Sequence, residues 1–160
     1  MSKLTSALVF FALLTAATLA VYVPGLSNGL VFDDARLTDG TVFGGYGSLL
    51  QLRPRLISYG SFVWLQSLFG EGWAVQRLFN VLLHLGVAGS LYLLFQDLLA
   101  RTQFSAEAQA DPVLAPSWLA GLRVGTALFA LNPVAVYAVA YLVQRSIVMA
   151  TLFVVLACLA

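Results

Sequence analysis

The chain has 160 residues, of which 61% are hydrophobic and 9% are charged, and its formal net charge is +1. Soluble domains carry roughly 25% charged residues, so this composition excludes an ordinary soluble domain and predicts an integral membrane protein. The small net charge leaves no basic surface for nucleic acid. The single cysteine excludes a disulfide within the chain. Apolar runs without alternation favour helices, and we predict an all-α, polytopic transmembrane protein.

Residues 4–23 form the first apolar run, between Lys3 and Pro24. The hydrophobic region of a signal peptide is usually only ~7–15 residues long. A run long enough to cross a membrane is more typical of a retained span. Lys3 on the short N-terminal side predicts a cytoplasmic N-terminus. The following loop, residues 24–73, is then predicted to lie in the periplasm of a bacterial inner membrane.

Asp33 and Asp34 follow directly on an apolar stretch near the start of this loop. Adjacent carboxylates repel each other and are costly to dehydrate. They either lie in water, as a loop start or a helix N-cap, or serve a function that justifies their cost. The sequence does not separate the two residues.

The second half of the loop is predicted to contain an amphipathic helix of about 15 residues after Pro54. Apolar side chains recur there at steps of three and four, and the helix is too short to cross, so we expect it to lie in the membrane interface. Trp64 and Trp73 are typical of the aromatic belt at headgroup level. Arg53 and Arg55 precede the helix, where they can either snorkel into headgroups or bind a phosphate.

Residues 74–99 are predicted to form the second span, and three polar residues lie on one face of it. Arg77, Asn80 and His84 are spaced by three and four residues. Such a stripe faces a bundle interior or a wet cavity. A hydrogen-bond network between helices is favoured for His84, whereas Arg77 suits either a network or a phosphate. His84 is the only histidine, which excludes a histidine-rich metal site.

The third span is predicted at residues 118–131 and ends at Asn132-Pro133, because proline interrupts a helix. Residues 134–145 are predicted to form a short interfacial or re-entrant helix on the non-cytoplasmic side. A fourth span is predicted at residues 146–160. Fourteen helical residues measure ~21 Å, less than the ~30 Å hydrocarbon core. We therefore expect the chain to be the N-terminal part of a larger domain with three to four spans in this part.

The arginines do not follow the positive-inside bias. With a cytoplasmic N-terminus, most of them lie on the non-cytoplasmic side, so either the topology is inverted or these arginines serve a partner such as a phosphate. For Arg145 the alternatives are a headgroup or topology-setting charge and a phosphate ligand. The arginines on that side are Arg36, Arg53, Arg55, Arg77 and Arg145.

The order of these features resembles a known family of membrane enzymes. It is similar to the N-terminal membrane region of GT-C superfold glycosyltransferases, in the branch with C-terminal tetratricopeptide repeats that is related to transmembrane O-mannosyltransferases. Asn132-Pro133 stands where that family usually has His-Pro. The motifs that carry the resemblance are Val31-Phe32-Asp33-Asp34, Arg53-Pro54, Gln76 to His84, Leu128 to Pro133, Ala138 to Tyr141 and Gln144-Arg145.

The resemblance implies a transferase that moves a sugar from a polyprenyl-phosphate donor to an acceptor hydroxyl on the non-cytoplasmic face. Asp33 or Asp34 would accept the hydroxyl proton, and arginines would bind the lipid phosphate and offset its charge. Apolar spans would hold the prenyl tail, and the need for a divalent cation stays open. The implied phosphate ligands are Arg53, Arg55, Arg77 and Arg145, with Asn80 and His84 in a polar network.

A non-catalytic alternative also fits the sequence. The chain can be a transmembrane subunit that packs its spans against lipid and against other membrane proteins in a larger complex. Small residues at Gly86 and Gly89-Ser90 allow such close packing. A transport component has less support, because the first and third spans lack a polar stripe.

Overall fold

The computed structural model describes residues 3–47, 52–102 and 114–160. These residues form helices and connections and contain no strand, which confirms the all-α class. The helices are α1 (Lys3–Tyr22), α2 (Thr41–Gly45), α3 (Leu56–Phe69), α4 (Trp73–Arg101), α5 (Leu114–Ala130), α6 (Ala135–Val139) and α7 (Arg145–Leu159), with 3-10 turns at Val23–Gly25, Phe32–Leu37 and Leu142–Gln144.

Three helical stretches are long and apolar enough to cross a membrane, namely Leu4–Gly25, Trp73–Arg101 and Leu142–Leu159. They agree with the first, second and fourth predicted spans, and the chain is an integral membrane protein. The third predicted span, residues 118–131, lies within α5 except for its last residue, and the 17 residues of α5 measure ~25 Å. This helix is not among the three, so the number of spans stays a prediction.

Helix α4 is the centre of the bundle and packs against α1, α5 and α7. Leu14 of α1, Ala88 of α4 and Ala130 of α5 form one buried apolar cluster. On the α7 side, a Cβ at Gly86 would lie 3.7 Å from a methyl group of Leu152. Small side chains on α4 therefore let its neighbours approach closely, as is common between membrane helices.

We call the end of the bundle where α1 and α5 end and α4 and α7 begin the loop end. A second apolar cluster lies there and joins the Phe32–Leu37 turn, α2, α3 and the Leu142–Gln144 turn. The buried members of this cluster are Leu37, Val42, Tyr59, Phe62, Tyr141, Leu142 and Val143.

Helix α3 begins just after Pro54, close to the predicted start. Its residues Ser58–Phe62 are all buried, and two of them, Tyr59 and Phe62, belong to the loop-end cluster, whereas Ile57 is 53% exposed. Its amphipathic character and its position in the membrane interface stay predictions.

The break after α5 follows from Asn132-Pro133, as the sequence predicted. Helix α5 ends at Ala130, and the Asn132 side chain accepts a hydrogen bond from the backbone N–H of Val134 at 2.9 Å. The chain then forms the short α6 and a 3-10 turn rather than one continuous helix. These turns carry the chain across the loop end to the start of α7. The polar residues from Arg101 to Ser117 were predicted to form a short cytoplasmic loop; α4 extends to Arg101, α5 begins at Leu114, and residues 103–113 lie outside the described residues.

Candidate functional site

Asp33 and Asp34 lie in the Phe32–Leu37 turn, which is held against the segment that leads into α7. The Oδ1 atom of Asp34 accepts a hydrogen bond from the backbone N–H of Val143 at 2.9 Å. The backbone N–H of Asp33 donates to the Tyr141 hydroxyl at 2.9 Å. Consecutive side chains on a 3-10 helix point about 120° apart. As a result, the Asp34 carboxyl is fully buried, whereas Asp33 is exposed.

The buried Asp34 carboxyl has properties that suit an anchoring residue. Its Oδ2 atom is buried without a hydrogen-bond partner in the described part of the chain. Burial raises the pKa of Asp34, against the opposing effect of backbone N–H donors and of the nearby Arg77 charge. An unpaired, dehydrated oxygen is costly as an anion and much less costly when protonated. Asp34 thus holds the turn in place and faces no solvent.

Asp33, by contrast, lies where an incoming molecule can meet it. A cleft of about 250 Å³ opens between the segment after α1 and α6, and Phe32, Arg77 and Tyr141 contribute to its walls. Asp33 adjoins this cleft through Phe32, its neighbour in the chain, and through its backbone bond to Tyr141. An exposed carboxyl group next to a cleft can accept a proton from a bound hydroxyl group. Of the two predicted acids, Asp33 is therefore the one that a bound molecule can reach, and its role as a base stays a prediction.

Arg77 is buried in the wall of this cleft. Its Nη1 donates to the Leu26 carbonyl at 2.9 Å, and its Nη2 donates to the Gly29 carbonyl at 2.8 Å. The residue is only 3% exposed. These bonds fasten the segment after α1 to α4, and they place a positive charge near Asp34.

Arg145, another predicted phosphate ligand, is fully buried between α3, α4 and α7. It donates to Asn80 Oδ1 at 2.6 Å, to Ser61 Oγ at 2.9 Å, and to the backbone and side-chain oxygens of Gln76 at 2.8 and 2.9 Å. Its guanidinium stacks on Phe62, 3.7 Å from the ring centroid. In this arrangement a phosphate cannot reach Arg145 without opening the bundle, so Arg145 joins three helices instead.

The polar partners of Arg145 were only partly found from the sequence. Ser61 is one of three serines in α3, and nothing in the sequence separates it from the other two. Gln76 lies four residues before Asn80, so the same helical spacing that selected Asn80 also places Gln76 on that face. Its amide also donates to the Phe62 carbonyl at 3.0 Å.

Asn80 and His84 bind backbone carbonyl groups on the two sides of the break after α5. The break leaves the Ala130 carbonyl without its usual partner, because the N–H of Val134 bonds to Asn132. His84 Nε2 lies 3.0 Å from that carbonyl oxygen, a contact that requires the ring proton on Nε2. Asn80 Nδ2 donates to the Val139 carbonyl at 3.0 Å. Both side chains satisfy backbone groups that a membrane interior would leave unpaired.

Arg53 and Arg55 are both exposed and line one groove of about 470 Å³ between the start of α3 and α7. The opposite wall is apolar and includes Met149 and Phe153 of α7. Arg55 donates to the Tyr59 hydroxyl at 2.8 Å and stacks over that ring. The structure thus brings together two of the four predicted phosphate ligands, and Arg77 and Arg145 lie elsewhere.

Two non-glycine residues of the described part have positive φ angles; one is next to a predicted catalytic acid and the other is a predicted phosphate ligand. Phe32, with φ of 50°, directly precedes Asp33, and Arg55 has φ of 62°. Such conformations cost about 1–3 kcal/mol each and are concentrated at functional sites. Phe32 is also 85% exposed, so burial of its own ring does not explain the strain.

No group of three or more His, Cys, Asp or Glu side chains that could hold a metal ion occurs in the residues the structure describes. No protein-family model, curated protein or solved structure matches the chain. The residue pattern and the geometry of the groove and the cleft are therefore the observations that bear on function.

Proposed function

We propose that the chain is the membrane part of a glycosyltransferase that moves a sugar from a polyprenyl-phosphate donor to an acceptor hydroxyl on the non-cytoplasmic face. The main support for this proposal is the groove that Arg53 and Arg55 line. A polyprenyl phosphate joins a charged phosphate to a long apolar chain. The groove offers two guanidinium groups at the loop end and an apolar wall on α7 that continues along the span. Guanidinium groups bind phosphate oxygens bidentately, and Met149 and Phe153 suit the prenyl chain.

The chemistry assigned to the aspartates follows from their different exposure. Asp33 accepts the proton of the acceptor hydroxyl while that oxygen attacks the anomeric carbon. The bond between this carbon and the phosphate oxygen breaks, and the polyprenyl phosphate leaves with the electron pair. Arg53 and Arg55 offset its charge. Asp34 holds the Phe32–Leu37 turn against the segment before α7.

Donor binding can be tested with farnesyl phosphate, a short polyprenyl phosphate, on protein in lipid nanodiscs. Each charge-assisted hydrogen bond is worth about 1.5–3 kcal/mol, but the exposure of both arginines reduces this to about 1 kcal/mol each. The double change Arg53→Gln and Arg55→Gln should therefore weaken binding on the order of 10- to 100-fold. The matched control is Arg36→Gln, an exposed arginine outside the groove. Equal affinity of the double variant, or equal binding of farnesol, would refute the phosphate site.

The base can be tested by sugar transfer from the lipid donor in native membranes, with the gene product at its native length. A general base contributes about 10²–10⁴-fold in rate, so Asp33→Asn should lose at least ~100-fold. Asp34→Asn should retain transfer, because its Oδ1 still accepts the N–H of Val143. Unchanged transfer in both variants would sink the proposal, and loss in Asp34→Asn alone would reverse the assignment.

A non-catalytic transmembrane subunit is the second candidate. Its support is the exposed apolar surface of α1 and α5, where Leu4 is 70%, Leu13 is 65% and Leu128 is 68% exposed. Lipid or the helices of partner proteins can cover these faces. A stoichiometric membrane partner that co-purifies with the protein, together with no transfer by the native product, would favour this candidate over the enzyme.

A further inference from the structure

A third concave site lies at the loop end, apart from the groove and the cleft. It has a volume of about 590 Å³ and opens between the Leu37–Phe43 segment and the connection from α3 to α4. None of its lining residues lines the Arg53–Arg55 groove or the cleft beside Asp33. The residues that matter for its chemistry are Thr38, Phe43, Gln66, Glu71, Trp73 and Gln76.

One wall of this pocket is aromatic. The ring centroids of Phe43 and Trp73 lie 6.4 Å apart, and the rings are inclined by 55°. Both side chains are half-buried and pack on the loop-end cluster, so their orientation is fixed before a ligand arrives. An aromatic face is apolar and weakly negative. It therefore attracts the slightly positive C–H groups on one face of a pyranose ring.

The pocket is also lined by polar side chains, two of which are planar, Gln66 and Glu71. The Gln66 amide donates to a carboxylate oxygen of Glu71 at 3.3 Å, which places an amide and a carboxylate side by side. Planar groups with two polar atoms can bind two neighbouring hydroxyl groups at once. The Thr38 hydroxyl donates to the Ala35 carbonyl, and its oxygen can still accept. The Gln76 side chain donates to the Phe62 carbonyl and accepts from Arg145, so these two bonds fix its position in the pocket lining.

We propose that this pocket binds a neutral saccharide of one or two pyranose units. Its volume is within the ~300–1,000 Å³ that is usual for small-molecule sites. Its described lining contains a carboxylate and no cationic side chain, so it disfavours a phosphate or another anion. A lipid chain would leave the polar side chains of the lining unpaired, which is costly. The inference does not depend on sugar transfer, because it concerns binding at a separate site.

The test uses the fluorescence of Trp73 in nanodiscs, without any sugar-based detergent. Trp64→Phe and Trp118→Phe leave Trp73 as the single tryptophan. Maltose, cellobiose and N,N′-diacetylchitobiose are titrated one at a time, with tetramethylammonium as the cationic comparison. We expect a saturable change in Trp73 emission with at least one saccharide. No change with any of the three would overturn the proposal.

Two variants assign the binding to this pocket. Glu71→Gln alters an exposed side chain and should weaken the saccharide affinity about tenfold, whereas the matched control Asp97→Asn, in the far half of α4, should leave it unchanged. Thr38→Phe fills the pocket from an exposed position and should abolish the response. Equal saccharide affinity in Glu71→Gln and Thr38→Phe would overturn the site. A response to tetramethylammonium that Glu71→Gln abolishes would instead identify a cation site.

Discussion

Replacement of Arg145 by methionine tests the buried network at the loop end most directly. Methionine keeps much of the apolar volume but removes every donor of the guanidinium group. Asn80 Oδ1 and Gln76 Oε1 then remain buried without a donor, at about 1–3 kcal/mol each. Ser61 still donates to the Ser58 carbonyl, so its loss is smaller. Relief from burying a charge offsets part of this cost, and we expect a net destabilisation of about 3 kcal/mol.

The measurement is thermal unfolding of the protein in nanodiscs, followed by tryptophan fluorescence. A change of this size should lower the midpoint by about 6–12 °C, since 1 kcal/mol corresponds to about 2–4 °C for a chain of this length. The control Arg36→Met removes an exposed arginine and should change stability by less than ~0.5 kcal/mol.

A double variant shows whether the effect comes from unpaired acceptors. When Asn80→Leu is added to Arg145→Met, the acceptor that lost its donor is also removed. The destabilisation of the double variant should therefore be smaller than the sum of the two single-variant destabilisations by about 1–2 kcal/mol. Additive costs, or a midpoint for Arg145→Met within 2 °C of the parent, would refute the network. Weaker farnesyl-phosphate binding with unchanged stability would instead make Arg145 a phosphate ligand.

Three further predictions concern the loop end. Burial raises the pKa of Asp34, so the folded state binds the proton more tightly than the unfolded state, and stability should fall as pH rises from about 4 through the raised pKa. Asp34→Asn should flatten that fall and unfold at a higher temperature than the parent at pH 7, and an unchanged pH profile of stability would contradict this. Arg77→Met removes donors to two carbonyls in the segment after α1, so chymotrypsin should cleave at Leu26 at least tenfold faster than in the parent, while the same rate would show that the segment is held by other contacts. In a Cys158→Ala background, Arg36→Cys should react with a membrane-impermeant maleimide on intact spheroplasts, and labelling only after lysis would show the opposite sidedness.

The helices were largely predictable because their signals are local. The apolar run at residues 4–23 became α1, and residues 74–99 became α4, each with boundaries shifted by only a few residues. Pro133 marks the end of α5 because proline cannot continue the backbone ladder. Such signals need no knowledge of tertiary contacts.

The site was less predictable because its contacts join distant residues. Asp33 and Asp34 are equivalent in sequence, and only the pairing of Asp34 with Val143, 109 residues away, separates them. For Arg145 the sequence left a headgroup or topology-setting charge and a phosphate ligand as alternatives, whereas its partners come from α3 and α4. The proposed saccharide pocket combines three segments of the chain, and none of them has a sequence that would indicate a binding site by itself.

The burial of Arg145 also bears on how the protein is made. Insertion of an arginine into the centre of a membrane helix costs about 2.5–3.5 kcal/mol, and Arg145 begins the helix of a predicted span. All of its hydrogen-bond partners precede it in the chain, the nearest being Asn80, 65 residues earlier. At ~5–20 residues per second, synthesis of that interval takes on the order of 3–13 s. Helices α3 and α4 thus have time to form and associate before α7 emerges, and the charge of Arg145 then meets acceptors that are already in place.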